Sequence, residues 1–198
     1  MFELKYPQSE APMMPAGSEE TQNEIFPLID EEGNVTGRAC RSYCHGGSMA
    51  LHPVVHLHVF DKEGRLYLQK RSLKKDIAPG RWDTSVGGHV DYGESLLEAV
   101  KREAREELGV RIENLEMRSE GLRFLFQYEW VSSREREIVT AFAITYEGEL
   151  LPDHDEVDEG RFWTLDELRT QMGKEVFTEQ FEQQELGRLV ESLGSLKV

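Results

Sequence analysis

The segment from Ser95 to Gly109 constrains the fold of this chain more than any other part of the sequence. Ser95 is followed three residues later by Glu98, which is the pattern of a capping box at the start of a helix. Gly109 is the residue type that most often ends a helix. Between these ends, apolar residues recur at the spacing of one helical face, at Leu96, Leu97, Val100, Ala104 and Leu108. The pattern predicts an amphipathic helix over residues 95–108 with one face in a hydrophobic core.

Three glutamates of this helix occupy an unusual position. At about 100° per residue, Glu103, Glu106 and Glu107 fall within an arc of roughly 100° that adjoins the apolar stripe. An ordinary solvated acidic face, which is the alternative, is expected opposite the stripe, where Glu98 and Arg105 fall. Clustered carboxylates repel one another, and a divalent cation such as Mg²⁺ or Mn²⁺ relieves that repulsion while leaving room for substrate phosphate oxygens. The helix is therefore a candidate site for phosphoryl chemistry.

The residues around the helix form a longer pattern. Gly88 is followed after five residues by Glu94, and after seven more by the run Arg102–Val110, REAREELGV. This pattern resembles the signature of the Nudix hydrolases, and all seven of its fixed positions are filled. Ala104 stands where that family usually has a larger aliphatic residue, so we expect a packing adjustment there. The predicted strand order and helix placement are similar to the family over roughly residues 25–190.

The resemblance implies an α/β fold, namely a Nudix-type αβα sandwich with a mixed β-sheet. It also implies a site for Mg²⁺ or Mn²⁺ whose ligands are the carbonyl of Gly87 and the carboxylates of Glu103, Glu106 and Glu107. Metals in such a site neutralise phosphate oxygens and lower the pKa of the attacking water. The implied protein is a divalent-metal-dependent hydrolase.

The implied reaction is attack of water on one phosphorus of a nucleoside diphosphate linked to another group, which cleaves the pyrophosphate bond. The residues expected to serve catalysis are Glu106, Glu103, Arg102 and Glu94. Arg102 is expected to orient a signature carboxylate through an ion pair, and Glu94 to support the geometry of the loop and helix. In that family the general base comes from the signature or from a later loop, where the candidates are Glu135, Glu137, Glu156 and Glu159.

A narrower resemblance concerns the segments Pro79–His89 and Glu135–Glu137, which are similar to isopentenyl-diphosphate isomerase. Those isomerases share the fold and hold a metal with three histidines and two glutamates. The resemblance therefore marks a possible second metal site, formed by His45, His52, His89, Glu135 and Glu137. The alternative is that the histidines of this region simply alternate along a partly buried strand.

The essential cysteine of the isomerases falls on Gly87 here, and glycine has no side chain to transfer a proton. Cys40 and Cys44 lie outside that loop. We therefore favour a hydrolase of the isomerase-like branch. The alternatives are an isopentenyl-diphosphate isomerase-like enzyme and a non-catalytic Nudix-fold ligand sensor, although a sensor usually has a damaged signature.

The hydrophobic periodicity of the sequence also predicts a tail, a domain and the strands and helices within that domain. Residues 1–22 contain three prolines and no sustained period, which predicts a flexible N-terminal tail before a single domain over residues 23–198. Within that domain, alternating or short apolar runs predict strands at Ile25–Asp30, Val54–Phe60, Arg65–Gln69, Leu122–Trp130, Ile138–Tyr146 and Gly160–Trp163. A short helix is predicted from Leu165, and a longer one covers much of residues 178–193.

Charge and composition restrict the partners. The chain has 38 acidic and 23 basic side chains and a net charge of −15, so it repels phosphate backbones and we predict no nucleic-acid partner. No stretch approaches the roughly 18 uninterrupted apolar residues of a membrane span, and we predict no membrane partner. With two cysteines and no signal-peptide pattern, the chain is expected to be cytoplasmic and to act on a small-molecule diphosphate. Its amphipathic C-terminal segment makes a homodimer possible.

Overall fold

The computed structural model describes residues 3–14, 24–74, 77–112, 121–152 and 157–194. Near the N-terminus lie strands β1 (Ile25–Ile29) and β2 (Val35–Cys40) and the short helix α1 (Arg41–Cys44). The middle of the chain forms β3 (Leu51–Phe60), β4 (Leu66–Arg71), β5 (Trp82–Asp83), β6 (Val86–His89) and α2 (Leu96–Leu108). These are followed by β7 (Arg123–Val131), β8 (Arg136–Thr145), β9 (Val157–Trp163), α3 (Leu165–Gln171), a π-helical stretch (Phe181–Leu186) and α4 (Gly187–Gly194).

Most of these elements confirm the prediction from periodicity. The predicted strands correspond to β1, β3, β4, β7, β8 and β9, and α3 begins at Leu165 behind a capping box of Thr164 and Glu167. The segments that were not predicted, β2, α1, β5 and β6, are two to six residues long. Segments of two to four residues, such as α1, β5 and β6, do not show a clear period, and β2 contains Gly37 and Arg38, which interrupt an apolar alternation.

Within the described residues, seven strands form one sheet with the order β5-β4-β3-β8-β7, in which β6 also pairs with β3 and β9 with β4. Strands β3, β5 and β9 each run antiparallel to β4. All ten residues of β3 are buried, as expected for a strand in the middle of a sheet. The β1-β2 hairpin is a separate antiparallel pair.

The chain divides into two compact units. The first contains Met1–His56, Gly87–Arg102 and Phe124–Phe142, and the second contains Leu57–Val86, Glu103–Arg123 and Ala143–Val198. Strands β3 and β8 and helix α2 contribute residues to both units. Whether the chain is the predicted single domain over residues 23–198 stays a prediction.

Helix α2 begins and ends where the sequence predicts. The Ser95 hydroxyl accepts the N–H of Glu98 at 3.3 Å, and the Glu98 carboxylate accepts the N–H of Ser95 at 2.8 Å, which completes the capping box. Gly109 follows the last turn with φ of +66°, a left-handed conformation that suits glycine. Ala104 is fully buried, as predicted, whereas Leu97 is half-buried.

No helix among the described residues has both the length and the apolar character required to cross a membrane.

Residues 3–14, which belong to the tail predicted over residues 1–22, pair with the β1-β2 hairpin, and the flexibility of that tail stays a prediction. Lys5 and Met13 form parallel bridges with Asn34 and Arg38, and the side chain of Ala11 is buried. Part of the contact is backbone pairing along the edge of the β1-β2 hairpin, which needs no hydrophobic period. Ala11 also belongs to a small hydrophobic cluster against which Leu4 and Tyr6 pack. Residues 15–23 of the predicted tail lie outside the described residues.

The same segment reaches the loop in front of α2. The Tyr6 hydroxyl donates to the carbonyl of Glu94 at 3.0 Å and accepts the N–H of Gly93 at 3.0 Å. Tyr92 packs edge-to-face on the Tyr6 ring, and its own hydroxyl accepts the N–H of Ala11 at 2.9 Å. Two tyrosines therefore tie the N-terminal segment to the turn that carries Glu94.

We expect the Tyr6→Phe variant to lower the free energy of unfolding by about 1–2 kcal/mol, because the Gly93 N–H and the Glu94 carbonyl both lose a partner. Urea unfolding followed by circular dichroism measures this. The matched control is Tyr43→Phe, since Tyr43 is also half-buried and its hydroxyl makes no hydrogen bond to the described residues. Equal stability of the Tyr6→Phe variant and the wild type would show that Tyr6 does not hold this turn.

Candidate functional site

Four side chains of the first unit converge on one point. His52 comes from β3, His89 ends β6, Glu137 lies on β8, and His45 directly follows α1. One ligating atom from each of the four lies within 4.8 Å of all the others. We call these four residues the histidine cluster.

The tautomer of His52 follows from its hydrogen bond. Its Nδ1 lies 2.9 Å from the carbonyl oxygen of Ala50, and because a carbonyl only accepts, Nδ1 carries the proton. The lone pair is then on Nε2, which is buried and makes no hydrogen bond to any described residue. Oε1 of Glu137 is 3.7 Å away. A buried nitrogen with an unused lone pair beside a carboxylate is the arrangement that a cation would complete.

His45 is oriented by the fifth predicted residue. Its Nδ1 is hydrogen-bonded to the carboxylate of Glu135, and this bond is the main cause that lowers the pKa of Glu135. An ionised carboxylate accepts a hydrogen bond from Nδ1–H, which directs the Nε2 lone pair of His45 into the cluster. Glu135 is therefore not one of the four converging residues. It hydrogen-bonds the other ring nitrogen of His45, as the outer partner of a metal-binding histidine commonly does.

The spacing of the cluster fits a small cation. The Nε2 atoms of His45 and His89 are 2.8 Å apart, and Oε1 of Glu137 lies 3.8 Å from Nε2 of His89. An octahedral ion with bonds of about 2.1 Å requires ligand separations of about 3.0 Å for neighbours and about 4.2 Å across the ion. The observed separations lie near these values, so small rotamer adjustments would suffice.

Phe26 restricts the orientation of the His52 and His89 rings. Phe26, which is 1% exposed, stacks on His89 with ring centres 4.4 Å apart and planes 5° from parallel. His52 lies at 12° to the same Phe26 ring and at 12° to His89. This parallel packing restricts ring rotation, so the nitrogen lone pairs are aimed by the fold.

Burial lowers the pKa of two of the histidines. Burial lowers the pKa of His52 to about 4, and it lowers the pKa of His89 well below its usual value, with a further contribution from the Arg41 guanidinium. One guanidinium nitrogen of Arg41 lies 3.4 Å from Nδ1 of His89. Neutral imidazole is the form that binds metal. Three imidazole nitrogens and a carboxylate favour a transition ion such as Zn²⁺ or Fe²⁺ over Mg²⁺.

The signature residues of the first unit form a compact network. Arg102 donates from Nε and Nη2 to the two carboxylate oxygens of Glu94, at 3.0 and 2.9 Å, and from Nη2 to the carbonyl of His89 at 2.9 Å. The predicted ion pair between Arg102 and a signature carboxylate is therefore present, in its bidentate form. Gly87 is exposed in β6, and the predicted role of its carbonyl as a ligand stays a prediction.

The signature acids of the second unit lie on α2 with different exposure. Glu106 is exposed and makes a 3.5 Å surface ion pair with Arg105, whereas Glu103 and Glu107 are half-buried. The Glu107 carboxylate accepts a hydrogen bond of 2.9 Å from the side-chain amide of Gln69. Gln69 was not predicted as a site residue, because in the sequence it is simply the last position of a strand pattern.

The candidates for a general base outside the signature are dispersed. Glu135 and Glu137 belong to the histidine cluster or its surroundings. Glu159 lies on β9 and makes a largely exposed ion pair of 3.7 Å with Lys70. Glu156 lies outside the described residues. The choice among them stays open.

Comparison with known sequences gives one family and one group of relatives. The model of the NUDIX domain matches residues 50–181. The isopentenyl-diphosphate Delta-isomerase of Agromyces mediolanus is 42% identical over 110 residues, covering 56% of this chain and 52% of that protein, so the chain spans about half the length of this relative. The enzyme of the same name from Mycolicibacterium vanbaalenii is 35% identical over 137 residues, covering 68% of this chain and 74% of that protein.

Comparison with solved structures supports the same fold. DR0079 from Deinococcus radiodurans aligns with a TM-score of 0.68 and 25% identity, covering 85% of this chain and 98% of that protein. The NUDIX domain of Shewanella oneidensis NrtR, solved with ADP ribose, aligns with a TM-score of 0.55 and 17% identity, covering 71% of this chain and 87% of that chain, and shows likeness of fold alone. These matches confirm the predicted α/β fold with a mixed sheet.

We expect the metal-free protein to lose stability as the pH falls from about 6.5 to about 4. The folded state keeps His52 neutral down to a pKa of about 4 while the unfolded chain protonates it near 6.5, so in this window the unfolded state binds more protons. The loss should reach at least about 1.4 kcal/mol, which corresponds to one pKa unit. Urea unfolding at several pH values in the presence of a chelator measures it.

The comparison variant is His52→Asn, whose amide can still donate to the carbonyl of Ala50 but does not titrate. Its stability should depend less on pH across the same window. An unchanged slope in this variant would contradict the assignment of a buried, neutral His52.

Proposed function

The chain belongs to the Nudix family, and on this basis we propose that it is a divalent-metal-dependent hydrolase that cleaves the pyrophosphate bond of a nucleoside diphosphate linked to another group. We further propose a small-molecule diphosphate as its partner, with neither nucleic acid nor membrane, and a cytoplasmic location. The observation that supports hydrolysis most directly is the complete signature, in which every acidic position on α2 is occupied.

The donor set of the signature fits the proposed Mg²⁺ or Mn²⁺. Glu103, Glu106 and Glu107 offer only carboxylate oxygens, which are the ligands these ions prefer, and none of the three is fully buried. The ion pair of Glu106 with Arg105 is exposed at both ends and contributes little, so it does not compete strongly with a cation. Metal bound there supplies charge neutralisation and a more acidic water.

The residues of the first unit organise the loop before the helix. The bidentate bond of Arg102 to Glu94 and its further bond to the carbonyl of His89 fix the turn between β6 and α2. The hydroxyl of Tyr6 satisfies the backbone of Gly93 and Glu94 at the same turn. In this proposal, Arg102 and Glu94 hold the loop and the helix in place. The glutamates of α2 bind the metal and act on the attacking water.

A second candidate function is isomerisation of isopentenyl diphosphate, and two observations favour it. The relatives carry that name, and the histidine cluster offers three imidazoles and one carboxylate to a metal. We propose that the histidine cluster binds a divalent transition ion in either case. A metal site of this kind does not by itself distinguish the two reactions.

The thiols argue against isomerisation by the mechanism that the resemblance implies. Gly87 has no side chain, and Cys40 and Cys44 are both fully buried. Burial, followed by the proximity of Cys40 and Glu137, raises the pKa of the Cys44 thiol to about 12. A thiol in this state is neither exposed to substrate nor readily ionised, which weakens it as a proton-transfer group.

We expect wild-type protein with Mg²⁺ or Mn²⁺ to hydrolyse at least one member of a panel of nucleoside diphosphate sugars, dinucleotides, nucleoside triphosphates and coenzyme A. The Glu106→Gln variant should lower kcat by about a hundredfold or more, because a metal ligand supports several kcal/mol of transition-state stabilisation. Phosphorus NMR of the products measures both. The matched control on the same helix is Glu98→Gln, since glutamine also completes a capping box.

Two results would contradict the hydrolase. One is the absence of turnover with every substrate of the panel, and the other is undiminished turnover in the Glu106→Gln variant.

We expect no deuterium to enter isopentenyl diphosphate during incubation with the protein in D₂O, because no exposed thiol serves the proton transfer. Mass spectrometry of the recovered substrate measures the exchange. Exchange that is lost in the Glu137→Gln variant and kept in Glu129→Gln, a surface glutamate of β7, would instead establish the isomerase.

A further inference from the structure

Gln69 is a buried polar residue. It lies on β4 and is only 6% exposed. Its side-chain oxygen, Oε1, makes no hydrogen bond to any described residue. Burying an amide with an unpaired oxygen destabilises a fold relative to an apolar side chain of similar size, so packing alone does not account for glutamine at this position.

The hydrogen bonds of the Gln69 amide nitrogen explain why a glutamine occupies this position. Nε2 donates to the carbonyl oxygen of Ser85 at 2.5 Å and to Oε2 of Glu107 at 2.9 Å. A carbonyl and a carboxylate are both acceptors, so the nitrogen end of the amide must face them and the flipped arrangement is excluded. Gln69 is therefore a donor directed at a signature glutamate.

The other acceptor of Gln69 is itself held firmly. Ser85 is fully buried, and its hydroxyl accepts the N–H of Val59 at 2.9 Å while it donates to the carbonyl of Tyr67. Val59 lies on β3 and Tyr67 on β4, so Ser85 is fixed by two strands of the sheet. Because Gln69 donates to both Ser85 and Glu107, it holds the carboxylate of Glu107 at a fixed place relative to Ser85.

We propose that Gln69 is a positioning residue for Glu107, holding its carboxylate in one orientation before a divalent cation binds. The inference rests on the proposed function, in which Glu107 is a metal ligand. A glutamate on the surface of a helix loses side-chain entropy when it coordinates an ion, and a partner that has already ordered the carboxylate reduces that loss. Partners of this kind typically change metal affinity or activity by about ten- to a hundredfold.

The test is a double-mutant cycle on Mn²⁺ binding. Four proteins are compared, namely the wild type, Gln69→Met, Glu107→Gln and the double variant, and the Mn²⁺ dissociation constants are measured by the electron paramagnetic resonance of free Mn²⁺. The histidine cluster is intact in all four, so its own binding enters each measurement equally. Methionine has a similar length and volume to glutamine but donates no hydrogen bond.

We expect the Gln69→Met variant to weaken Mn²⁺ binding by about tenfold or more in the wild-type background and to have no further effect when Glu107 is already glutamine. The reduction in kcat should follow the same pattern. The matched control is Gln127→Met, since the Gln127 amide on β7 also makes one side-chain hydrogen bond, to Thr140, and contacts no signature residue through it. This control should leave Mn²⁺ binding unchanged.

Two results would overturn the inference while leaving the proposed function in place. One is an affinity within twofold of wild type in Gln69→Met although Glu107→Gln weakens binding. The other is a loss of equal size in both backgrounds, which shows a general structural effect. If Gln69→Met does not fold, Gln69→Asn, whose shorter amide does not span both acceptors, takes its place in the cycle.

Failure of the proposed function gives a different result. Wild-type protein would then turn over no substrate of the panel, and Glu107→Gln would bind Mn²⁺ as tightly as wild type, which removes both conclusions.

Discussion

The bidentate bond between Arg102 and Glu94 is the interaction on which the rest of the first unit depends. Arg102 lies on α2, Glu94 on the preceding loop, and the third bond of the guanidinium reaches the backbone of His89. One planar side chain thus joins the signature loop to the strand that delivers a histidine of the cluster. Because the pair is largely shielded from solvent and its geometry is bidentate, it holds this connection more firmly than a surface ion pair would.

The protein combines two donor sets of different chemistry. The glutamates of α2 offer hard oxygen atoms at partly exposed positions, whereas His45, His52 and His89 offer imidazole nitrogen atoms at buried or half-buried positions. Oxygen donors suit Mg²⁺ and the phosphate it accompanies, and imidazoles suit a transition ion. The two sets therefore do not have to compete for the same metal.

The elements that the sequence predicted well are those with local causes. The capping box of Ser95 and Glu98, the terminating Gly109 and the apolar stripe all act within a few residues, so α2 was correct at both ends. The second metal site was predicted from five residues through resemblance, and the structure brings four of them together as the histidine cluster. The N-terminal segment was not foreseen, since Tyr6 and the backbone of Lys5 act on residues distant in sequence.

By itself the sequence determined the signature, its acidic helix and the residue types that can hold metal, because these depend on spacing along one chain. Only the tertiary structure decided which of these residues have shifted pKa values, and which neighbouring groups orient their side chains. Burial lowers the pKa of His52 and of His89, the carboxylate of Glu135 hydrogen-bonds His45, and the amide of Gln69 faces Glu107. Desolvation and hydrogen-bond direction arise from neighbours that folding brings together, and no local pattern encodes them.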